Sequence, residues 1–399
     1  MQNQLDFYSA LEKLLGSVKR LPSVETQDLS NCFGRVLAVN LVSDNNIPAF
    51  NNSQVDGYAF RFSDFTEDKF YNVSQRIPAG STSTELQPDT IARIFTGAEL
   101  PVGADCVIMQ EDTESNEKKG IKLKKKIRLG ENIRKKGCDL KSGEVFFKKG
   151  RKLTAADIGM CASVGLAALQ VYKPIKVGVF STGDELKQPG EKLNKAQLYD
   201  SNRPMILGLV KQLGFETLDL GWLPDDLEST VNGLEEASKK VDAVLTCGGV
   251  SVGEEDHLKD AVRKVGKLQL WEINMKPGKP FAFGEIGDAF FLGMPGNPVS
   301  AWVTFSLLCQ PFLCKLNGMF PNNFRFTLAK ANFNYENRGQ RREFLRVCLN
   351  DDGLIELFER QNSQVLSSIC FSDGLVEVPV KKEIVKGDLV NFYSFQSSV

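Results

Sequence analysis

With 399 residues, 42% hydrophobic and 25% charged, the chain has the make-up of an ordinary globular protein of roughly two or three domains. A net charge of −1 gives it no general attraction for nucleic acid or a membrane surface. Nine scattered cysteines without CxxC spacing argue against zinc ribbons and disulfide frameworks. A single histidine, His257, leaves no room for a His-rich metal site.

In chain order, residues 1–44 read as helical and then irregular, with amphipathic segments over Leu5–Leu15 and around Leu29–Ala38. The first residues lack a basic, apolar signal pattern and no apolar run reaches spanning length, so a cytoplasmic protein without membrane contact is the expectation. From Asn45 to about Gly150, short β-type runs (Tyr58–Phe62, Ile91–Phe95, Cys106–Gln110, Ile121–Leu123, Val145–Phe147) alternate with Gly, Pro and Asn turns. The basic run Lys118–Arg128 reads as an exposed strand whose lysines guard a sheet edge; with no aromatic platform, it does not suggest nucleic acid. Helix returns over Thr154–Leu169.

An α/β alternation follows. Strands are predicted at Ile175–Phe180, Glu216–Leu220, Val241–Thr246, Leu268–Met275, Phe281–Glu285 and Ala289–Leu292. Helices are predicted at Arg203–Leu213, Leu227–Lys239, His257–Val265 and Val299–Leu316. That alternation calls for a doubly wound, mainly parallel sheet, with ligands outside the carboxyl ends of its strands. From Asn323 onward only β-type runs remain. The fold class is therefore α/β plus β and multidomain: an N-terminal region (1–174) with a β-rich insert at about 45–150, a central α/β unit (175–322) and a small C-terminal β domain (323–399).

The most informative stretch is Val241–Asp256, VDAVLTCGGVSVGEED. A buried strand breaks into Gly248, Gly249 and Gly253, with Ser251 between them, and the acids Glu254, Glu255 and Asp256 follow. Glycines at a strand-to-helix turn let the backbone approach a ligand and aim free N–H groups at an anion. Acids beside such a turn fit a phosphorylated ligand bridged by a hard divalent cation. A tight turn with a solvated helix start would read the same way. The strand from Ile175 ends similarly, in Ser181-Thr182-Gly183-Asp184-Glu185. Asp200-Ser201-Asn202 and Pro224-Asp225-Asp226 precede helices, where such acids serve either as caps or as groups at the ligand site. Met275–Pro280 sets Lys276 and Lys279 on a proline-stiffened loop suited to phosphate charge. In Met294–Ser300, Pro295 and Pro298 flank Gly-Asn, and Ser300 is placed to cap the final helix.

Taken together, SQVDGYA, RIFTGAELPVGAD, GENIRKKGCD, STGDEL, YDSNRPM, CGGVSVGEEDH, KPGKPFAFG and GMPGNPVSA resemble, in order and spacing, the molybdopterin molybdenumtransferase family, which includes MoeA and the E domains of gephyrin and plant Cnx1. The resemblance covers about residues 30 to 310. It implies a homodimer whose cleft joins the central domain of one subunit to parts of the other. It also implies insertion of molybdenum from molybdate into adenylylated molybdopterin with Mg2+-assisted release of AMP. A molybdopterin adenylyltransferase and acceptor molybdoenzymes are implied as further partners.

Matched residue by residue, the resemblance assigns catalytic roles to Asp56, Thr96, Asp139, Glu185, Asp225 and Asp256, with the metal on Glu185 and Asp256. Substrate would be bound by Gly248, Gly249, Ser251, Gly253, Lys276, Lys279, Pro295, Pro298 and Ser300. Three positions depart from the family pattern: Val55 for Met, Cys138 for Glu and Cys247 for Ser. The acid replaced by Cys138 can play no part here. A non-catalytic scaffold, or an adenylyltransferase built on a similar α/β domain, would be the alternatives.

Overall fold

Phe7, Ala10 and Leu14 recur at helical spacing, and Asp6 caps the turn before them by accepting a hydrogen bond from the Tyr8 amide (3.0 Å). The resulting helix, Phe7–Ser17, buries that stripe in the core of the central unit, with the Phe7 ring 5.1 Å from Phe344 of the C-terminal β unit. A computed structural model describes residues 5–250, 257–320 and 326–395, with Leu270 and Trp271 described by backbone alone.

The expected second helical segment is absent. Val24–Asp28 is instead a strand, followed by one short 3-10 turn at Leu29–Asn31, and it pairs antiparallel with Ala168–Tyr172. The later helix is correspondingly shorter, Ala155–Ser163, opened by a reciprocal Thr154–Asp157 capping box. Between them lies a six-stranded sheet in the order Cys106–Met109, Gly57–Phe60, Thr90–Ile94, Phe70–Ile77, Gly120–Leu123, Thr113–Asn116. The lysine-rich strand is therefore not the edge; Thr113–Asn116 covers it, and Ile121 and Leu123 turn inward.

The central sheet runs Glu216–Leu223, Lys176–Thr182, Ala243–Cys247, Ala289–Met294, Pro280–Ile286, Gly266–Glu272. The first four strands are parallel, and Pro280–Ile286, reversed by the tight turn at Gly287-Asp288, runs antiparallel to both its neighbours. Asn202–Gln212 and the Pro298–Leu316 helix cover one face, in a core with Val177, Val179, Leu245 and Leu292. Leu227–Ser238 and His257–Val265 cover the other, with Phe180, Val244 and Phe291. Helices on both faces make the sheet doubly wound.

Pro298–Leu316 is long and apolar enough to cross a membrane, yet 72% of it is buried inside the protein, so it is a core helix. It relaxes into a π turn at Phe305–Cys309, just before Pro311, whose ring would clash with the carbonyl one turn back and which has no amide to donate.

The C-terminal sheet, built on Arg342–Leu349, Gly374–Val378 and Leu389–Ser394, takes in the short strand Met275–Lys276 from the central unit. Glu377 fastens the N-terminal helix to it, accepting from the hydroxyls of Tyr8 (2.8 Å) and Tyr393 (2.9 Å) and pairing with Arg342.

Candidate functional site

From Lys176–Thr182 the chain moves outward to Glu216–Leu223, then returns to Ala243–Cys247 on the other side. This reversal opens a crevice at the carboxyl ends of the strands. Ser181 is level with both Trp222 and Cys247, so Gly183, Leu223-Pro224 and Gly248 meet at one rim. Gly248 (φ 104°) and Gly249 (φ 67°) lie in the left-handed region, as a turn presenting its amides requires. Thr182 sits below them, and its buried hydroxyl has no hydrogen-bond partner among the described residues. The Gly248 amide is bonded to the Met294 carbonyl (3.0 Å), which brings the Pro295–Pro298 loop alongside.

The neighbouring acids divide their tasks. Asp226 caps Leu227–Ser238 by accepting from the Ser229 amide (2.8 Å), and that bond holds its pKa below the usual range. Asp225 is thereby left to face the crevice. Although Asp225 is largely exposed, partial burial of its carboxyl and the charges of Asp184 and Glu185 push its pKa up, opposed by the Asp184 amide and His257. Of Asp225 and Asp226, the capping expectation thus holds for Asp226 alone. Glu185 folds back over Gly183, where a methyl group would lie 2.5 Å from its Oε2.

Behind the rim, buried Asp200 accepts from the Arg203 amide and Nε (both 3.1 Å) and from the Ser181 hydroxyl, while Arg203 reaches on to Asp219 and Gln188. Asn202 donates to the Gly296 carbonyl (2.6 Å), tying this helix start to the proline loop.

Two expectations need correction. Ser300 is not the helix cap: Asn297 holds that position, Pro298 follows it, and Ser300 is buried within the first turn. The lysines are not free: Lys276 pairs with buried Glu343 (2.9 Å), and Lys279 with Glu272 (3.2 Å), so each brings an acid to the loop. His257, at the start of its helix, is near enough to Asp225 and Asp226 to favour their charged forms, so it belongs to the rim. Ser251, Gly253 and Asp256 lie outside the described residues.

Sequence reasoning missed Arg346. Its guanidinium is 1% exposed and has no carboxylate partner among the described residues, donating only to the Ser368 hydroxyl (3.2 Å) and the Phe344 and Asn362 carbonyls. Burial lowers its pKa to about 10. The adjoining Ser363 carbonyl accepts from the Val299 amide at the start of the Pro298 helix (3.1 Å), so this unpaired cation lies near the proline loop. No spacing rule points to it; only burial does.

Asp56 and Thr96 meet on the N-terminal β unit, where the Thr96 amide (2.8 Å) and hydroxyl (2.7 Å) both donate to Asp56 and hold its pKa down. Asp139 is exposed on the same unit, its amide bonded to the Ile47 carbonyl (3.0 Å). None of these hydrogen bonds reaches the central crevice.

Three family models match in succession: the MoeA N-terminal region (domains I and II) over residues 5–165, a "Probable molybdopterin binding domain" over 178–315, and the MoeA C-terminal region (domain IV) over 329–395. A molybdopterin molybdenumtransferase of Haemophilus influenzae is 40% identical over 355 residues, covering 87% of each chain. The chain belongs to the MoeA family. A molybdopterin molybdenumtransferase of Nostoc is 32% identical over 96% of this chain and 92% of its own. A crystal structure of the molybdopterin biosynthesis MoeA protein from Pyrococcus horikoshii superposes with a TM-score of 0.85 at 28% identity, covering 98% of this chain and 100% of that one.

The hard divalent cation implied by MoeA membership fits the donors of this crevice. They are oxygen ligands, and the repulsion of Asp225 by Asp184 and Glu185 is what a cation would relieve. Among the described residues no three ligating side chains converge on one point.

Proposed function

We propose that this MoeA-family chain is a molybdopterin molybdenumtransferase of molybdenum cofactor biosynthesis, taking adenylylated molybdopterin and molybdate and releasing AMP. The observation that carries the reading is the Gly248–Gly249 turn with the unpartnered Thr182 hydroxyl beneath it and acids beside it. With the Gly248 amide already bonded to the Met294 carbonyl, the Gly249 amide and the Thr182 hydroxyl would donate to phosphate oxygens, and the acids would give the site its need for a metal.

Glu185 and Asp256 would hold Mg2+, with Asp225 alongside, and the charge supplied there would favour departure of AMP. Asp200 and Asn202 keep the strand end and proline loop in position. Lys276 and Lys279, each held by an acid, would turn their remaining N–H donors to the molybdate oxyanion, and buried Arg346 would add only the field of its charge.

Asp56, Thr96 and Asp139 are exposed on a unit whose hydrogen bonds do not reach this crevice, which supports a homodimer in which they face the partner's site. The enzyme would work in the cytoplasm. The test is reconstitution: protein, adenylylated molybdopterin, Mg2+ and molybdate should activate an apo-molybdoenzyme. Failure to exceed a control lacking the protein would refute the reading.

A further inference from the structure

Trp222 is left unexplained by packing. Its side chain joins neither hydrophobic core of the central unit and is 41% exposed at the carboxyl end of the outermost strand. Nor is the ring loose, because its Nε1 donates to the Gly183 carbonyl (2.9 Å) and fixes the indole at the lip of the crevice. Among the described residues no cation or aromatic ring stacks on it. Exposure alone is common on this surface, but an indole fixed by a hydrogen bond at a crevice lip is positioned for a ligand to cover its face.

We propose that Trp222 is the stacking platform for the purine base of the adenylylated substrate, a specificity determinant that rests on the function proposed above. Trp222 pairs in register with Ser181, whose other neighbour is Cys247, directly before the glycine turn. Two strand spacings, about 10 Å, therefore separate the indole from the phosphate cradle. A nucleotide whose phosphate sits on Gly248 and Gly249 can lay its base across Gly183 onto Trp222. Stacking tolerates any flat base and needs a planar partner, which a purine supplies and a puckered reduced pterin does not.

The test is calorimetry of the full chain with Mg2+, using AMP and ribose 5-phosphate as probes. Wild type should bind AMP more tightly than ribose 5-phosphate. W222A should weaken AMP on the order of 10-fold or more and leave ribose 5-phosphate unchanged, as expected of base stacking. W222F should retain most of the AMP affinity.

Undiminished AMP binding by W222A overturns the proposal, as does an equal loss for both probes, which would make Trp222 a structural prop. If wild type releases AMP from substrate while W222A binds AMP normally, only the stacking role fails. If wild type neither binds nor releases AMP, the parent reading fails with it.

Discussion

The hydroxyl of Thr182 lies under Gly248 so closely that a methyl group on that glycine would stand 2.8 Å from Oγ1 and 3.0 Å from the Thr182 carbonyl. Gly248 also has φ 104°, where side-chain-bearing residues are strained. Gly248→Ala should therefore destabilise the fold by about 1–2 kcal/mol. It should weaken AMP binding more than that strain alone explains. Thr182→Val, which removes only the unpartnered hydroxyl, should weaken AMP with little change in Tm. Equal AMP affinity in both variants and wild type would remove the glycine turn from the site.

Asp225 links pH, metal and stability. Its folded pKa lies above its unfolded value, so the folded state holds the proton more tightly and stability falls as pH rises between the two. Asp225→Asn should raise Tm at neutral pH, and the gain should vanish once pH drops below the ordinary carboxylate range. Mg2+ should raise the Tm of wild type more than that of the variant. A variant less stable than wild type at pH 7 would mean the carboxylates do not repel one another.

Much of this architecture is legible from periodicity. The central strands are apolar on both faces, as parallel strands between helical layers are, and the α/β alternation shows plainly. Val24–Asp28 and Thr113–Asn116 escape notice because they are polar strands, and only their partners place them. The pairing of Lys276 with Glu343, 67 residues away, is invisible to local reading, so the loop looks freely cationic when it is not. Asp225 and Asp226 look alike in sequence; only the Ser229 bond separates the cap from the crevice acid. Trp222 and Arg346 carry no motif, and their roles follow from exposure in one case and burial in the other.

The unpaired cation is open to direct test. Removing the buried charge of Arg346 relieves a desolvation cost, so Arg346→Met should keep or raise Tm. Molybdate binding should weaken, as expected when a nearby buried positive charge is removed. A variant that binds molybdate as wild type does would confine Arg346 to a structural role.

Separation of Asp56 and Thr96 from the crevice predicts complementation between subunits. D56N and E185Q proteins should each be impaired while keeping their fold. Unfolded and refolded together in equal amounts, they should regain roughly a quarter of wild-type activity, because half the dimers would carry one intact site of two. No recovery on mixing would place both residues in a site made by a single chain.

The most direct measurement is AMP release from adenylylated molybdopterin by the wild-type protein, followed with Mg2+ and molybdate together, with EDTA added, and with molybdate omitted. AMP should appear at an appreciable rate only in the complete mixture, and E185Q should slow it sharply. Release that is equally fast in EDTA, or absent from the complete mixture, would contradict a metal-assisted phosphate site at the Gly248 turn.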